Sequence, residues 1–221
     1  IYERQLENIA NDNFESWPES ATYGYFGGGQ NPTGNPDYFD TIDRIDYFNE
    51  TTSAPNINLT EGRSGLAACS SSSYGYFGGG FAPPYVATID RIDFSNETTS
   101  APNINLTQSR YNLTAVSGGA SYRIKGSRTY GYFGGGSPSP DGRVDRIDFS
   151  NETVTEPGKN ISPATSFLAA CSSSSYGYFG GGNSPSGRVS TVDRIDFSNE
   201  TTSPVTATLT QGRHALAAVS N

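Results

Sequence analysis

The heptamer "YGYFGGG" occupies residues 23–29 and returns at Tyr74, Tyr130 and Tyr176. Three ring side chains surround one glycine and are followed by three residues with no side chain. A recurrence of about fifty residues marks a repeat architecture and takes precedence over any local signal. Each interval carries the same further landmarks in the same order. "DRID" follows at Asp43, Asp90, Asp145 and Asp193, then an Asn-Glu-Thr turn at Asn49, Asn96, Asn151 and Asn199. Next comes a Thr/Ser/Pro-rich stretch with "LTEGR", "LTQSR" or "LTQGR". A short run of small residues closes the unit, from Leu66, Leu113, Leu168 and Leu216.

Each unit thus holds four short strand-like runs separated by turn chemistry. "YGYF" is aromatic, "VDRIDF" alternates as half-buried strands do, and "INLTQ" and "HALAAVS" are read as the remaining two. "SNET" reads as a tight hairpin in which Asn takes the left-handed conformation. Only residues 2–12 carry a pattern that a helix could use. Four strands per unit predict an all-β propeller blade, since radial repetition protects the edges of antiparallel sheets. The glycines then allow positive φ and a close approach by the neighbouring blade, and the rings before them hold blades face to face.

The succession "GRHALAAVS", "YGYFGGG", "VDRIDF" resembles the kelch repeat, in which an Arg-containing small-residue strand precedes an aromatic strand ending in diglycine. The resemblance covers residues 23–221, with residues 1–22 left as an N-terminal extension or a link to a stem or partner. The pattern departs from kelch in one respect: the tryptophan usual near the fourth strand is missing, and the single Trp, Trp17, lies outside the repeats. The near-verbatim, Ser/Asn/Thr-rich wording is also similar to kelch-type segments of cyanophage structural and tail-fibre proteins. The chain enters on an aromatic strand and stops after a small-residue strand. Read as a complete ring, this phase predicts four four-stranded blades closed by Ala215–Ser220 beside Tyr23–Phe26. The alternative is a fragment of a larger propeller.

The charge balance, 22 carboxylates against 14 Lys and Arg, argues against a nucleic-acid face. No run of 18 apolar residues offers a membrane span. Methionine is missing even at position 1, which reads as a processed chain or a portion of one. Cys69 and Cys171 share a repeat column with Val116 and Val219 and are read as two buried free thiols. His214, the single histidine, shares its column with Ser64, Tyr111 and Ser166. Serine or cysteine nucleophiles therefore lack a repeated base, and no catalytic residue, metal or cofactor is assigned.

The Asp and Arg of "DRID" recur in every unit and are read as pairing within or between blades. A calcium site and acid/base catalysis are the other readings of those carboxylates. The sequons at Asn49, Asn58, Asn96, Asn105, Asn112, Asn151, Asn160 and Asn199 are read as by-products of a repeat in which Asn serves the hairpin. Glycan acceptors on a secreted protein are the alternative.

Function is expected where the repeats disagree, in loops on a held scaffold. Loops after the triple glycines place Tyr38, Phe39, Phe81 and Tyr85 where a ligand can stack. An insertion between Ser117 and Tyr130 carries Arg123, Lys125 and Arg128, a cationic cluster that suits an acidic glycan or a neighbouring subunit. Phe14 and Trp17 are candidates to cap the ring. The expected function is a non-enzymatic structural and binding module, a phage tail fibre or similar surface appendage. It would sit on a virion or outside the cell, contacting a cell-surface glycan or partner protein within a larger assembly. A secreted glycosylated matrix or adhesion protein and a propeller glycosidase or lyase are the alternatives.

Overall fold

The computed structural model describes residues 22–31, 37–120, 128–158 and 160–220. Among them every regular element is a strand. The first sheet has three strands, Tyr23–Gly27, Ile42–Asp46 and Thr51–Ser53, in that order. The second has four: Ala67–Ser70, Tyr74–Gly78, Ile89–Asp93 and Thr98–Ser100. Thr114–Ala120, Arg128–Gly134, Val144–Asp148 and Thr153–Thr155 form the third, and Ala169–Ser172, Tyr176–Gly180, Val192–Asp196 and Thr201–Pro204 the fourth. All pairings are antiparallel and keep one register: Tyr25 opposes Arg44, Tyr76 opposes Arg91, Tyr132 opposes Arg146 and Tyr178 opposes Arg194.

The last strand of each sheet is the "TTS" or "TVT" after the hairpin. The expected fourth strand, "INLTQ", is instead a connecting segment, touching the sheet through single bridges such as Thr41 with Asn58 and Thr88 with Asn105. Its physical role explains the difference. Leu59, Leu106 and Ile161 are buried, so the segment is drawn across the sheet end by its apolar residues as it carries the chain to the next sheet.

The hairpin also differs in detail from expectation. The left-handed residue is the glutamate, at φ 56° in Glu50, 52° in Glu97, 53° in Glu152 and 56° in Glu200. Asn keeps the turn together instead: the Asn96 side-chain oxygen accepts from the Thr98 N–H at 3.1 Å and its hydroxyl at 2.7 Å. Holding a non-glycine residue left-handed costs about 1 kcal/mol. Here that conformation aims the glutamate at the preceding sheet. Glu97 meets Arg44 at 2.8 Å, Glu152 meets Arg91 and Glu200 meets Arg146 at 2.8 Å. The hydroxyls of Tyr25, Tyr76 and Tyr132 donate to the same three carboxylates. Burial first, and the glutamate second, push the Tyr25 phenol up to about 12. Each arginine also lies over a tyrosine ring of its own sheet, Arg91 at 4.7 Å from Tyr74. Three of the four "DRID" arginines, Arg44, Arg91 and Arg146, therefore pair with glutamates of the next hairpin, where the sequence pointed to aspartates.

The apolar core consists of three clusters, each clamped between consecutive sheets. Tyr25, Tyr76 and Tyr132 stack on Phe94, Phe149 and Phe197 of the following sheet at 5.5, 5.2 and 5.3 Å. Phe133 and Phe179 are buried where they press on the first glycine of the preceding triplet; a Cβ on Gly78 would stand 2.8 Å from the Phe133 ring. The second glycine is needed for its backbone: Gly79 has φ +68°, and a Cβ there would meet the Arg110 carbonyl at 2.6 Å.

Ala215–Ser220 does not pair with Tyr23–Phe26, and the expected closure by that strand is not made. The Ala215 N–H donates to the Phe167 carbonyl, and Ser220 Oγ accepts from the Ser172 N–H at 2.8 Å. Phe167 stands in the same relation to Asn112, and Ser117 to Ser70. The link that steps the chain from one sheet to the next is repeated once more, so it runs on beside the fourth sheet instead of returning to the first. Phe26 and Val219 are left exposed, at 64% and 90%.

If the hairpin glutamate joins sheets, Glu152→Gln should lower stability by about 1–2 kcal/mol in urea unfolding. Glu50→Gln, whose hairpin faces no preceding sheet among the described residues, should change it by less than about 0.5 kcal/mol. Equal effects would contradict the assignment.

Candidate functional site

Each triple glycine ends a strand and releases a loop at the same end of its sheet. Adjacent loops are tied to the links between them. Ser64 and Phe81 exchange backbone hydrogen bonds at 3.1 and 2.7 Å, Tyr111 and Ser137 at 3.2 and 2.8 Å, and Ser166 and Asn183 at 3.1 and 2.8 Å. In the first sheet, Gln30–Asn31 pairs with Asp37–Tyr38 to make a small ribbon. Side chains on neighbouring loops are thereby set side by side on a fixed backbone.

On this framework the structure brings Tyr38, Phe81 and Tyr85 together, and adds Tyr111. Tyr38 meets Phe81 edge-on at 5.7 Å, Phe81 meets Tyr111 at 5.5 Å, and Tyr111 stacks on Tyr85 at 6.2 Å with the planes 18° apart. Such separations are those of favourable ring pairs, so the four rings form one continuous strip. Tyr85 stays 38% exposed at its end. Ser64 Oγ donates to Gln30 Oε1 at 2.9 Å on the same loops. Phe39, 44% exposed, is placed by its backbone: its N–H donates to Gly29 and its carbonyl accepts from Arg63. Tyr111 was legible only as the one large aromatic in a column otherwise holding Ser64, Ser166 and His214.

Arg123 and Lys125 lie outside the described residues. Arg128 opens the strand that Gly134 ends, opposite Ala120, so it starts from the far end of the third sheet. Phe14 and Trp17 also lie outside the described residues. Beside the strip, Gln108, Ser109, Ser137, Pro138 and Asp141 line a cleft of about 110 Å³, well below the ~300 Å³ at which small-molecule pockets begin. The strip is a surface for stacking.

The repeated carboxylates have structural partners. The second aspartate of each "DRID" caps its hairpin: Asp93 Oδ1 accepts from the Ser95 N–H and hydroxyl at 2.8 and 2.6 Å. That bonding holds the Asp93 carboxyl below its ordinary range. In the second and third sheets the first aspartate is buried against an arginine of the incoming link, whereas Asp43 of the first sheet is exposed. Arg63 reaches Asp90 at 2.8 Å, with the two side chains 0% and 1% exposed, and Arg110 reaches Asp145 at 2.9 Å. Each guanidinium also donates to a main-chain carbonyl, Phe77 or Phe133, at 3.1 Å. Thr60 and Thr107 complete the shell with an N–H and a hydroxyl each.

The third of these columns breaks the rule. Thr165 stands where Arg63 and Arg110 stand, and Asp193, 2% exposed, has no arginine facing it among the described residues. Burial pushes its carboxyl up to about 6, opposed by the Ser162 N–H. Neither Cys69 nor Cys171 is in a disulfide, and Cys69 is buried and Cys171 partly so.

No family model matches the sequence, and no curated protein matches it. Among solved structures the chain is similar to one titled "Structure of YjhT". The TM-score is 0.70 over 90% of this chain and 71% of that one, at 12% identity. The likeness is one of fold and points to a propeller, with the antiparallel sheets as its blades.

Asp193 makes stability depend on pH with a definite sign. Its folded pKa lies above the unfolded value, so its contribution is intact below about pH 4 and is lost as pH rises through about 6. The full loss is on the order of 2–3 kcal/mol. Asp193→Asn should therefore gain on the wild type across that window. An unchanging difference between the two would contradict the reading.

Proposed function

We propose that the chain is a non-enzymatic structural and binding module, built as a kelch-like propeller segment, whose aromatic strip takes up a carbohydrate. The carrying observation is the continuous contact of Tyr38, Phe81, Tyr111 and Tyr85 across loops of successive sheets. A sugar presents C–H faces and hydroxyl edges; a row of rings beside serine and glutamine side chains complements both. The loops are fixed by paired backbone hydrogen bonds, so little ordering cost is left for binding. The non-enzymatic reading is supported by the structural partners of Asp90, Asp145, Asp93 and Asp196, the last holding Ser198 by its N–H and hydroxyl.

Its setting is a phage tail fibre or comparable surface appendage, on a virion or outside the cell and within a larger assembly. Support for that setting comes from the near-verbatim repeat wording, and the ligand is a glycan of the contacted surface. Phe39 extends the strip, and the cationic stretch with Arg123, Lys125 and Arg128 serves a separate contact with an acidic glycan or a neighbouring subunit.

A glycan array probed with the full chain tests the proposal. Phe81→Ala and Tyr111→Ala should each weaken the strongest signals by about tenfold or more, the scale of a lost anchoring ring. Arg128→Ala should leave them unchanged. No glycan bound by the wild type, or equal binding by both ring variants, would overturn it.

A further inference from the structure

Residue 165 occupies the same backbone frame as the two buried arginines. The Arg63, Arg110 and Thr165 carbonyls each accept from the third glycine of the preceding sheet, Gly29, Gly80 and Gly136, all at 2.9 Å. Their side chains leave in the same direction. A Cβ on Gly136 would meet the Arg110 side chain at 3.1 Å, and one on Gly182 would meet Thr165 Cβ at 3.0 Å. Beyond that point Arg63 and Arg110 lay a guanidinium between an aspartate and a phenylalanine carbonyl. Threonine ends two atoms from the backbone and delivers none.

Three oxygen groups correspond to that position by equivalence with the other two junctions. Asp193 is buried at 2% exposure and stands opposite Phe179 in the sheet register, as Asp90 stands opposite Phe77 and Asp145 opposite Phe133. Thr165 is 1% exposed, and its Oγ1 is buried with no hydrogen-bond partner. The Phe179 carbonyl is the counterpart of those that accept from Arg63 and Arg110. A buried carboxylate without a counter-charge among the described residues and an unused buried hydroxyl are both costly, and the two occur at one position.

We propose that Thr165, Phe179 and Asp193 form an internal site for a small cation bearing N–H donors, of the guanidinium or ammonium class, held where the other sheets hold an arginine head group. The carboxylate supplies the charge, and the Phe179 carbonyl and Thr165 hydroxyl accept further N–H bonds. The precedent of Arg63 favours guanidinium, whose planar fork sets Nη1 against Asp90 and Nη2 against the Phe77 carbonyl. The site is distinct from the aromatic strip and does not depend on its function.

The test is thermal unfolding of the full chain well above the titration range of Asp193. Ionic strength is held with tetramethylammonium chloride, part of which is replaced by guanidinium chloride at low millimolar concentration, below its denaturing range. The wild type should show a saturable rise in Tm of about 2–4 °C, as a ligand of the folded state produces. Thr165→Arg should show no rise, since its own side chain fills the site; should that variant fail to fold, Asp193→Asn carries the same comparison. Lys159→Gln runs in parallel, because that basic residue lies outside the described residues. A wild type with no rise, an equal rise in Thr165→Arg or Asp193→Asn, or a rise that appears only in Lys159→Gln would each overturn the proposal.

Discussion

A guanidinium buried against a carboxylate inside an apolar protein costs several kcal/mol of desolvation per ion, which the pair recovers only with good geometry and full hydrogen bonding. Arg63 and Arg110 recover part of that cost by spanning two sheets at once, although the Nε of each is buried without a hydrogen-bond partner. The Arg110 carbonyl is bonded to Gly80 of the second sheet, while its side chain grips Asp145 and the Phe133 carbonyl of the third. One residue thereby fixes how far, and at what register, the second sheet stands from the first and the third from the second. The other inter-sheet features fall within that frame. The bare first glycine receives the next phenylalanine, the left-handed glutamate reaches back to an arginine, and a tyrosine stacks on the next "IDF" phenylalanine.

The same frame generates the binding face. Because the link is anchored at its arginine, the residue after it is presented beside the loop that follows the next triple glycine. Tyr111 comes to Ser137 in this way, and Ser64 to Phe81. Loop sequences can then vary without disturbing the scaffold, and two of them have filled the face with rings. At the third junction a threonine replaces the arginine. There the frame is kept by backbone hydrogen bonds and by the cluster around Phe179 and Phe197, while the buried charge of Asp193 is left without its counterpart.

Much of this was legible because the repeat states it several times. Four copies of "YGYFGGG" disclosed the aromatic strand and the glycine-dependent turn, and "DRID" with "SNET" disclosed the hairpin. The strand order went wrong at "INLTQ", whose alternation of apolar and polar residues is that of a strand edge. The buried leucine and the Thr60 bonds to Asp90 use that alternation to cross a sheet end. Partners were misassigned for a related reason. Arg44 and Asp46 lie two apart and share a face, but the positive φ of Glu97 that brings it to Arg44 cannot be read from an Asn-Glu-Thr triplet. The strip residues on the loops were found by their departure from the repeat. Tyr111 was not, since its column looked freely variable until the link geometry placed it beside Phe81 and Tyr85.

The claim that the buried arginine and aspartate set the junction between sheets is tested most directly by a double-mutant cycle on Arg110→Met and Asp145→Asn, read by urea unfolding. Each single variant leaves one buried group without its partner and should cost about 3 kcal/mol or more. The double variant should cost no more than the worse single one, which places the coupling at about 3 kcal/mol or more. Single effects that simply add, with a coupling below about 0.5 kcal/mol, would show that the sheets are positioned by their apolar contacts alone.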